Sequence, residues 1–389
     1  MFTPIVDRIK YGGAMIGQEE KDAINRIINS DNGSRWTVGE ESLALEKELA
    51  EVTGVKRAVL TNSGSSALLV AMTALHLPKG SGVIVPAVNF PTAYNAILQC
   101  GLVPVVVDVD LKTLNLDLGQ VARALLEVPN IEAVIAVDIA GNPVDLLTLR
   151  ELVGPNIKII LDDCDGYGTT FKGKMVEQYA DISCVSFHAA HIITMGEGGA
   201  VLTNDEELGT RALKLREWGR ASGTENIYKY EGFPDDYRER YVYEEIGFNM
   251  KPLELQCAMG RIQLKKLFTF KDARRANHKL LEEQFKGNDK FTIVSQISDS
   301  DPCWFSFPLL CTGVARRHAM ETFEKNNIEC RTIFSGNITL HPAYKDTPRH
   351  VIGDLKNANT VMKDGMFLSC HPSITPEMIE FIGKVARSL

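Results

Sequence analysis

The chain has 389 residues, 44% of them hydrophobic and 24% charged, the balance of an ordinary globular protein. A formal net charge of −8 provides no global attraction to nucleic acid or to an anionic membrane surface. No apolar run is long enough to span a membrane, and MFTPIVDRIKYGG at the N-terminus lacks the apolar stretch of a secretory signal.

Short β-branched runs alternate with helical patterns through the first half of the chain. The strands read from the sequence are RAVLTN (57–62), GVIVPAV (82–88), VPVVVDVD (103–110), IEAVIAVD (131–138), IKIILDD (157–163), ISCVSF (182–187) and GGAVLTN (198–204). Helical stretches such as SSALLVAMTAL (65–75), LGQVARALLEV (118–128) and DEELGTRALKLREW (205–218) lie between them. That alternation predicts an α/β fold with a mostly parallel central sheet and helices on both faces. Ligands of such sheets bind beyond the carboxyl ends of the strands. From about 220 to 245 the chain turns polar, aromatic and Gly/Pro-broken, too long for a simple connector, which marks a functional loop. The helical pattern KPLELQCAMGRIQLKKL (251–267) follows. The remainder reads as a smaller C-terminal α+β domain, with WFSFPLLC as a strand and RRHAMETFEKNN and PEMIEFIGKVARSL as helices. The expected division is a large cofactor-binding domain over 1–265 and a small domain over 266–389. Eight scattered cysteines without a CxxC pair suit buried, reduced thiols in the cytoplasm.

Four segments carry candidate chemistry. In TNSGSSALL (61–69) a strand gives way to a Gly–Ser–Ser turn and a helix, whose free N–H groups can cradle phosphate, although a serine-capped helix reads the same way. LDDCDGYG (161–168) puts acids at the carboxyl end of an apolar strand, where a carboxylate can face a pyridine nitrogen and keep it protonated; an acidic turn is the plainer alternative. VSFHAAHIITMGEGGAVLTN (185–204) sends Ser186 and two histidines out of a strand beside a glycine turn. GFNMKPLELQCAMGRIQL (247–264) is an amphipathic helix with a proline near its start.

Together, in this order and at these spacings, the four segments resemble the DegT/DnrJ-type sugar aminotransferases of the fold type I pyridoxal-phosphate enzymes, from residue 35 to the C-terminal helix. The resemblance implies that Gly64, Ser65 and Ser186 hold the cofactor phosphate and that Phe90 stacks on the pyridine ring. It implies that Asp162 pairs with the ring nitrogen, while Asp165 stands where aminotransferases carry Gln or His near the ring hydroxyl. Asn249 matches an asparagine that reaches the phosphate in the partner subunit, which implies a homodimer with shared sites.

One departure redirects the expected activity. His191 falls where aminotransferases carry the lysine that bonds the cofactor, and no lysine lies between Lys174 and Lys214. A subset of the family, the sugar-nucleotide 3-dehydratases, has this replacement. IAGNP (139–143), CWFSFP (303–308) and IECRTIFSGN (328–337) also resemble that subset. The implied cofactor is pyridoxamine 5'-phosphate, cycling with pyridoxal 5'-phosphate, because imidazole forms no lasting bond to the aldehyde. The implied reaction removes the C3 hydroxyl of a nucleotide-linked 4-keto-6-deoxy sugar. His191 acts as base and then acid, with His188 the next candidate. L-glutamate restores the amine, its carboxylates held by Arg220 and Arg331. One branch of the subset carries an iron–sulfur cluster. Cys164 matches its first ligand, but Ser222 and Thr224 stand where further cysteines would follow WGR, so no cluster is expected. An ordinary aminotransferase would need a lysine at 191, and an inactive regulatory member would have no need of the cofactor cradle.

Overall fold

The structure, a computed structural model, describes residues 8–30, 36–221, 232–234 and 241–389. The rest of the 220–245 segment, with Ser222 and Thr224, lies outside the described residues. Each of the seven strand runs forms a strand: β1 (Arg57–Thr61), β2 (Gly82–Pro86), β3 (Val103–Val107), β4 (Ile131–Val137), β5 (Lys158–Asp162), β6 (Ile182–Ser186) and β7 (Gly199–Thr203). A second set follows: β8 (Phe291–Ile293), β9 (Ser306–Cys311), β10 (Arg331–Thr332), β11 (His350–Val351) and β12 (Gly365–Ser369).

The large sheet has the order β1-β7-β6-β5-β4-β2-β3-β11. All neighbours in it run parallel except β7, which is antiparallel to both β1 and β6. Its strands are buried on both faces, as continuous Val/Ile runs require. The helix Gly64–Ala74 shows why: it is apolar almost all round, and Ala67, Leu68, Val70, Ala71 and Met72 are all buried.

The second sheet is antiparallel, ordered β8-β9-β12-β10, and packs its own core of Phe285, Phe307, Phe323, Leu368 and Ile382. Ile9 belongs to this core and bridges to Ile328, so the first described residues lie against the last third of the chain. The 19-residue helix Leu267–Phe285 connects the two sheets. From it, fully buried Arg274 donates to the carbonyls of Trp304 and Phe305 at 3.2 and 2.8 Å, fixing the strand-entry loop that faces the large sheet. No helix among the described residues is long and apolar enough to cross a membrane.

One carboxylate joins two distant helices. Glu254, at the start of the helix Glu254–Lys265, accepts the backbone N–H groups of Gly39, Glu41 and Ser42 at 2.9, 2.8 and 3.2 Å. These are free donors at the first turn of the helix Glu40–Thr53, where negative charge is favoured. Glu254→Ala is expected to destabilise the fold by about 2–3 kcal/mol through these buried donors. A lower urea midpoint would register the loss, and an unchanged midpoint would show that the contact is dispensable.

Candidate active site

A cleft of about 700 Å³ lies at the carboxyl ends of the parallel strands and is closed from the opposite side by the second sheet. Its floor is built by a close approach of backbones. A Cβ at Gly64 would lie 2.6 Å from Ser186 Cβ and 2.9 Å from Cys164 Sγ. A Cβ at Gly199 would lie 2.5 Å from the carbonyl carbon of Ser63. Only glycine lets β6, β7 and the loop after β5 meet the Ser63–Gly64 turn. Ser63 caps the helix by accepting Ser66 N–H at 3.0 Å, which leaves the N–H groups of its first turn facing the cleft. Ser65 Oγ stands 3.0 Å from Thr92 Oγ1, and Ser186 Oγ accepts His188 N–H at 3.3 Å.

Gly64, Ser65, Phe90, Asp162, Asp165 and Ser186 all line this cleft. So do His191 and Arg331, the latter from the second sheet. Phe90 is 58% exposed and meets Phe334 edge-to-face at 6.5 Å, which leaves its face available to a planar ligand. Arg331 pairs with Glu329 at 3.0 Å and lies 4.6 Å over the Tyr11 ring.

The charges on the floor are set by burial. Asp162 is held above the ordinary carboxylate range by burial, with hydrogen bonds from Cys164 opposing the shift. Asp165 is pushed up to about 7, first by burial and then by the charge of Asp162, against the Ala140 N–H at 3.1 Å and the Arg274 charge. His191 is pushed down to about 3 by burial, then by His188; the Ser186 carbonyl opposes the shift and Arg274 adds to it. Nε2 of His191 lies 3.8 Å from Asp165 Oδ1. Both partners are shifted toward their neutral forms, so this contact is a proton-sharing neighbourhood rather than an ion pair. The His188 ring stands 5.6 Å from His191 and, at 3.8 Å, faces Glu197 instead.

Two candidates lie elsewhere. Asn249 pairs in the backbone with Glu217 and accepts Lys251 Nζ at 2.8 Å, while the Arg220 guanidinium stacks 4.4 Å over the Trp218 ring. Neither residue lines the cleft of its own chain. Sequence reasoning missed Tyr11, Phe334, His341 and Phe367, which close the cleft from other elements. Phe305 and Phe334 have a signal in the sequence, since they lie within CWFSFP and IECRTIFSGN, stretches that resemble the 3-dehydratase subset. Among the described residues, no group of three or more His, Cys, Asp or Glu is arranged to hold a metal ion.

The architecture is that of the fold type I transferases. The family model of the DegT/DnrJ/EryC1/StrS aminotransferases matches residues 15–386, and the chain belongs to that family of sugar-modifying enzymes. It is 34% identical to the lipopolysaccharide biosynthesis protein RfbH of Salmonella typhimurium, over 95% of this chain and 89% of that protein. It is 33% identical to a dTDP-4-dehydro-2,6-dideoxy-D-glucose 3-dehydratase of Saccharopolyspora spinosa, over 96% and 85%. A GDP-4-keto-6-deoxy-D-mannose 3-dehydratase of Yersinia pseudotuberculosis is 34% identical over 95% and 96%. A crystal structure of a GDP-4-keto-6-deoxymannose-3-dehydratase variant with bound GDP-perosamine superposes with a TM-score of 0.90 at 29% identity, covering 97% of this chain and 100% of that one.

Asp165 yields a test. Its folded pKa of about 7 lies above the ordinary 3.8. The folded chain therefore keeps a proton that the unfolded chain releases, and this residue's contribution to stability falls as pH rises between those values. The stability of ligand-free Asp165→Asn relative to wild type should rise from pH of about 4 to about 7 in urea melts. A difference that stays flat with pH would show that Asp165 titrates ordinarily.

Proposed function

We propose that the enzyme uses pyridoxamine 5'-phosphate to remove the C3 hydroxyl from a nucleotide-linked 4-keto-6-deoxy sugar. The observation that carries this reading is His191, an imidazole in the wall of the cleft, 3.8 Å from Asp165 and held toward its neutral form by burial. No lysine is among the described residues that line the cleft. The names of two relatives and one structural neighbour as 3-dehydratases support it.

The residues fit the cofactor. The cradle at Gly64, which a Cβ would fill, suits a phosphate held by Ser65, Ser186 and the helix start. Phe90 offers its face to the ring. Buried Asp162, held above its ordinary pKa, is relieved by a cationic pyridine nitrogen. When bound, the cofactor supplies the amine that condenses with the C4 ketone and a ring that draws electrons from the reacting carbon. His191 Nε2 would take a proton from the carbon that carries the cofactor's amine and give it to the C3 oxygen as the C–O bond breaks, so that the hydroxyl leaves as water. Asp165, shifted to about 7, is placed to exchange a proton with it. Arg331 holds a carboxylate of the L-glutamate that restores the amine, and Arg220, outside the cleft of its own chain, would join it from a second copy. Asn249 reaches the phosphate site of a second copy in a homodimer, an arrangement consistent with its place outside the cleft of its own chain.

The decisive measurement supplies pyridoxamine phosphate, glutamate and a panel of GDP-, CDP-, UDP- and dTDP-linked 4-keto-6-deoxy sugars. A product lighter by one oxygen is expected; an amino sugar would instead establish transamination. His191→Asn should lose roughly 10²–10⁴-fold in rate while still binding cofactor. Near wild-type turnover in that variant would remove His191 from the role of base. Mixing Asn249→Ala and His191→Asn subunits should restore part of the activity, since one hybrid site is then intact. No recovery despite verified subunit exchange would speak against shared sites.

A further inference from the structure

Behind His191, away from the cleft, lies a second and much smaller space. It measures about 10 Å³ and is bounded by His191, Gly13, Met15, Thr194, Gln263 and His371. That is room for about one water, provided its walls are polar. His191 borders both spaces. Its Nε2 is turned to Asp165, which lines the cleft and not the small space. Its Nδ1 is buried and makes no hydrogen bond of good geometry among the described residues, although the Ser186 carbonyl approaches the ring and is the direct competitor for its proton. A buried ring nitrogen of this kind calls for a partner.

The walls decide which partner. Their side-chain donors are already committed. His371 Nδ1 accepts Ser373 N–H at 3.2 Å, so its proton is on Nε2, which donates to the Gly13 carbonyl at 2.9 Å. Gln263 Nε2 donates to the Met15 carbonyl at 2.9 Å and to Glu20 Oε1 at 2.7 Å. Thr194 Oγ1 donates to the Phe187 carbonyl at 3.2 Å. What these groups still offer is one oxygen lone pair each, on Thr194 Oγ1 beside the Gly196 N–H it accepts, on Gln263 Oε1 beside the Thr194 N–H it accepts, and on the two carbonyls. A water here gives both hydrogens to the wall and keeps a lone pair for the imidazole. With Nε2 turned to Asp165, Nδ1 is the nitrogen left to face this water, and it then carries the hydrogen.

We propose that one buried water accepts His191 Nδ1–H and bridges it to the oxygens of Thr194, Gln263 and the Gly13–Met15 segment, fixing the tautomer that leaves Nε2 unprotonated toward the cleft. This rests on the reading of His191 as the base, and it makes Thr194 and Gln263 positioning residues. The N-terminal segment takes part as well, since Gly13 and Met15 cover the space and are pinned there by His371 and Gln263.

Two measurements on the wild-type protein test the assignment directly. A high-resolution crystal structure should show a water within about 3.2 Å of Nδ1. ¹⁵N spectra of histidine-labelled protein should show Nδ1 protonated and Nε2 not. A protonated Nε2 in the neutral ring, or Nδ1 bonded directly to the Ser186 carbonyl, overturns the proposal. Thr194→Val removes one acceptor of the water. It should raise the Nε2–H population and lower kcat by about tenfold or more, with KM little changed, because tautomer control acts through the general base. Thr194→Ser should restore both. A fall in kcat without a change in the ¹⁵N signals would mean a merely structural role for Thr194 and would also overturn the proposal. If His191→Asn keeps its turnover, the reading of His191 as base fails, whereas the tautomer and the water are decided by spectra and density that do not depend on activity.

Discussion

The site depends on a close backbone approach. The Ser63–Gly64 turn lies against Ser186, Cys164 and Gly199 so tightly that a Cβ on either glycine would sit at 2.5–2.6 Å from its nearest neighbour. This contact brings four chain segments into one small volume. It aims the first turn of the helix Gly64–Ala74 into the cleft, whose lining includes both Ser65 and Ser186. Larger side chains would force the strand ends apart, and the donors of the helix start would no longer converge with the acids of β5.

Those acids make the floor short of positive charge. Asp138, Asp162, Asp163, Asp165 and Glu177 are all buried, and burial holds each above its ordinary pKa, with repulsion from neighbouring acids adding to the shift at Asp138, Asp163 and Asp165. Lys271 is engaged with Asp301 at 2.8 Å, and Arg274 is turned to the carbonyls of Trp304 and Phe305. A floor of this kind favours a cationic ligand over Asp162 and keeps the histidine above it neutral, because the low-dielectric surroundings penalise every isolated charge. The same burial therefore prepares both the ring-nitrogen site and the base.

The second sheet completes the cleft from the other side. Arg331, Phe305 and Phe367 come from strands or loops more than 100 residues from Asp162 and Ser186 in the chain, and Tyr11 comes from the opposite end. Arg274 ties that wall to the helix joining the two sheets, so the width of the cleft is set by a buried guanidinium and two carbonyls. The long-range contacts, not the local motifs, decide how large a ligand the floor can receive.

The sequence alone determined the seven strands of the large sheet, because each is a short apolar run bounded by turn residues, and such signals are local. Through its resemblance to a known family it also pointed to Gly64, Ser65, Asp162, Asp165, Ser186 and His191, and all six line one cleft because their segments lie at or beyond strand ends, which gather on one side of a parallel sheet. It could not give the direction of β7: GGAVLTN reads the same parallel or antiparallel, and only pairing with β1 and β6 settles it. Nor could it show that Arg220 stacks on Trp218 and Asn249 pairs with Lys251 outside the cleft of their own chain, or that a small polar space lies behind His191. Those facts belong to the tertiary structure, because each depends on residues distant in the chain meeting in space, and periodicity and spacing carry information only about neighbours.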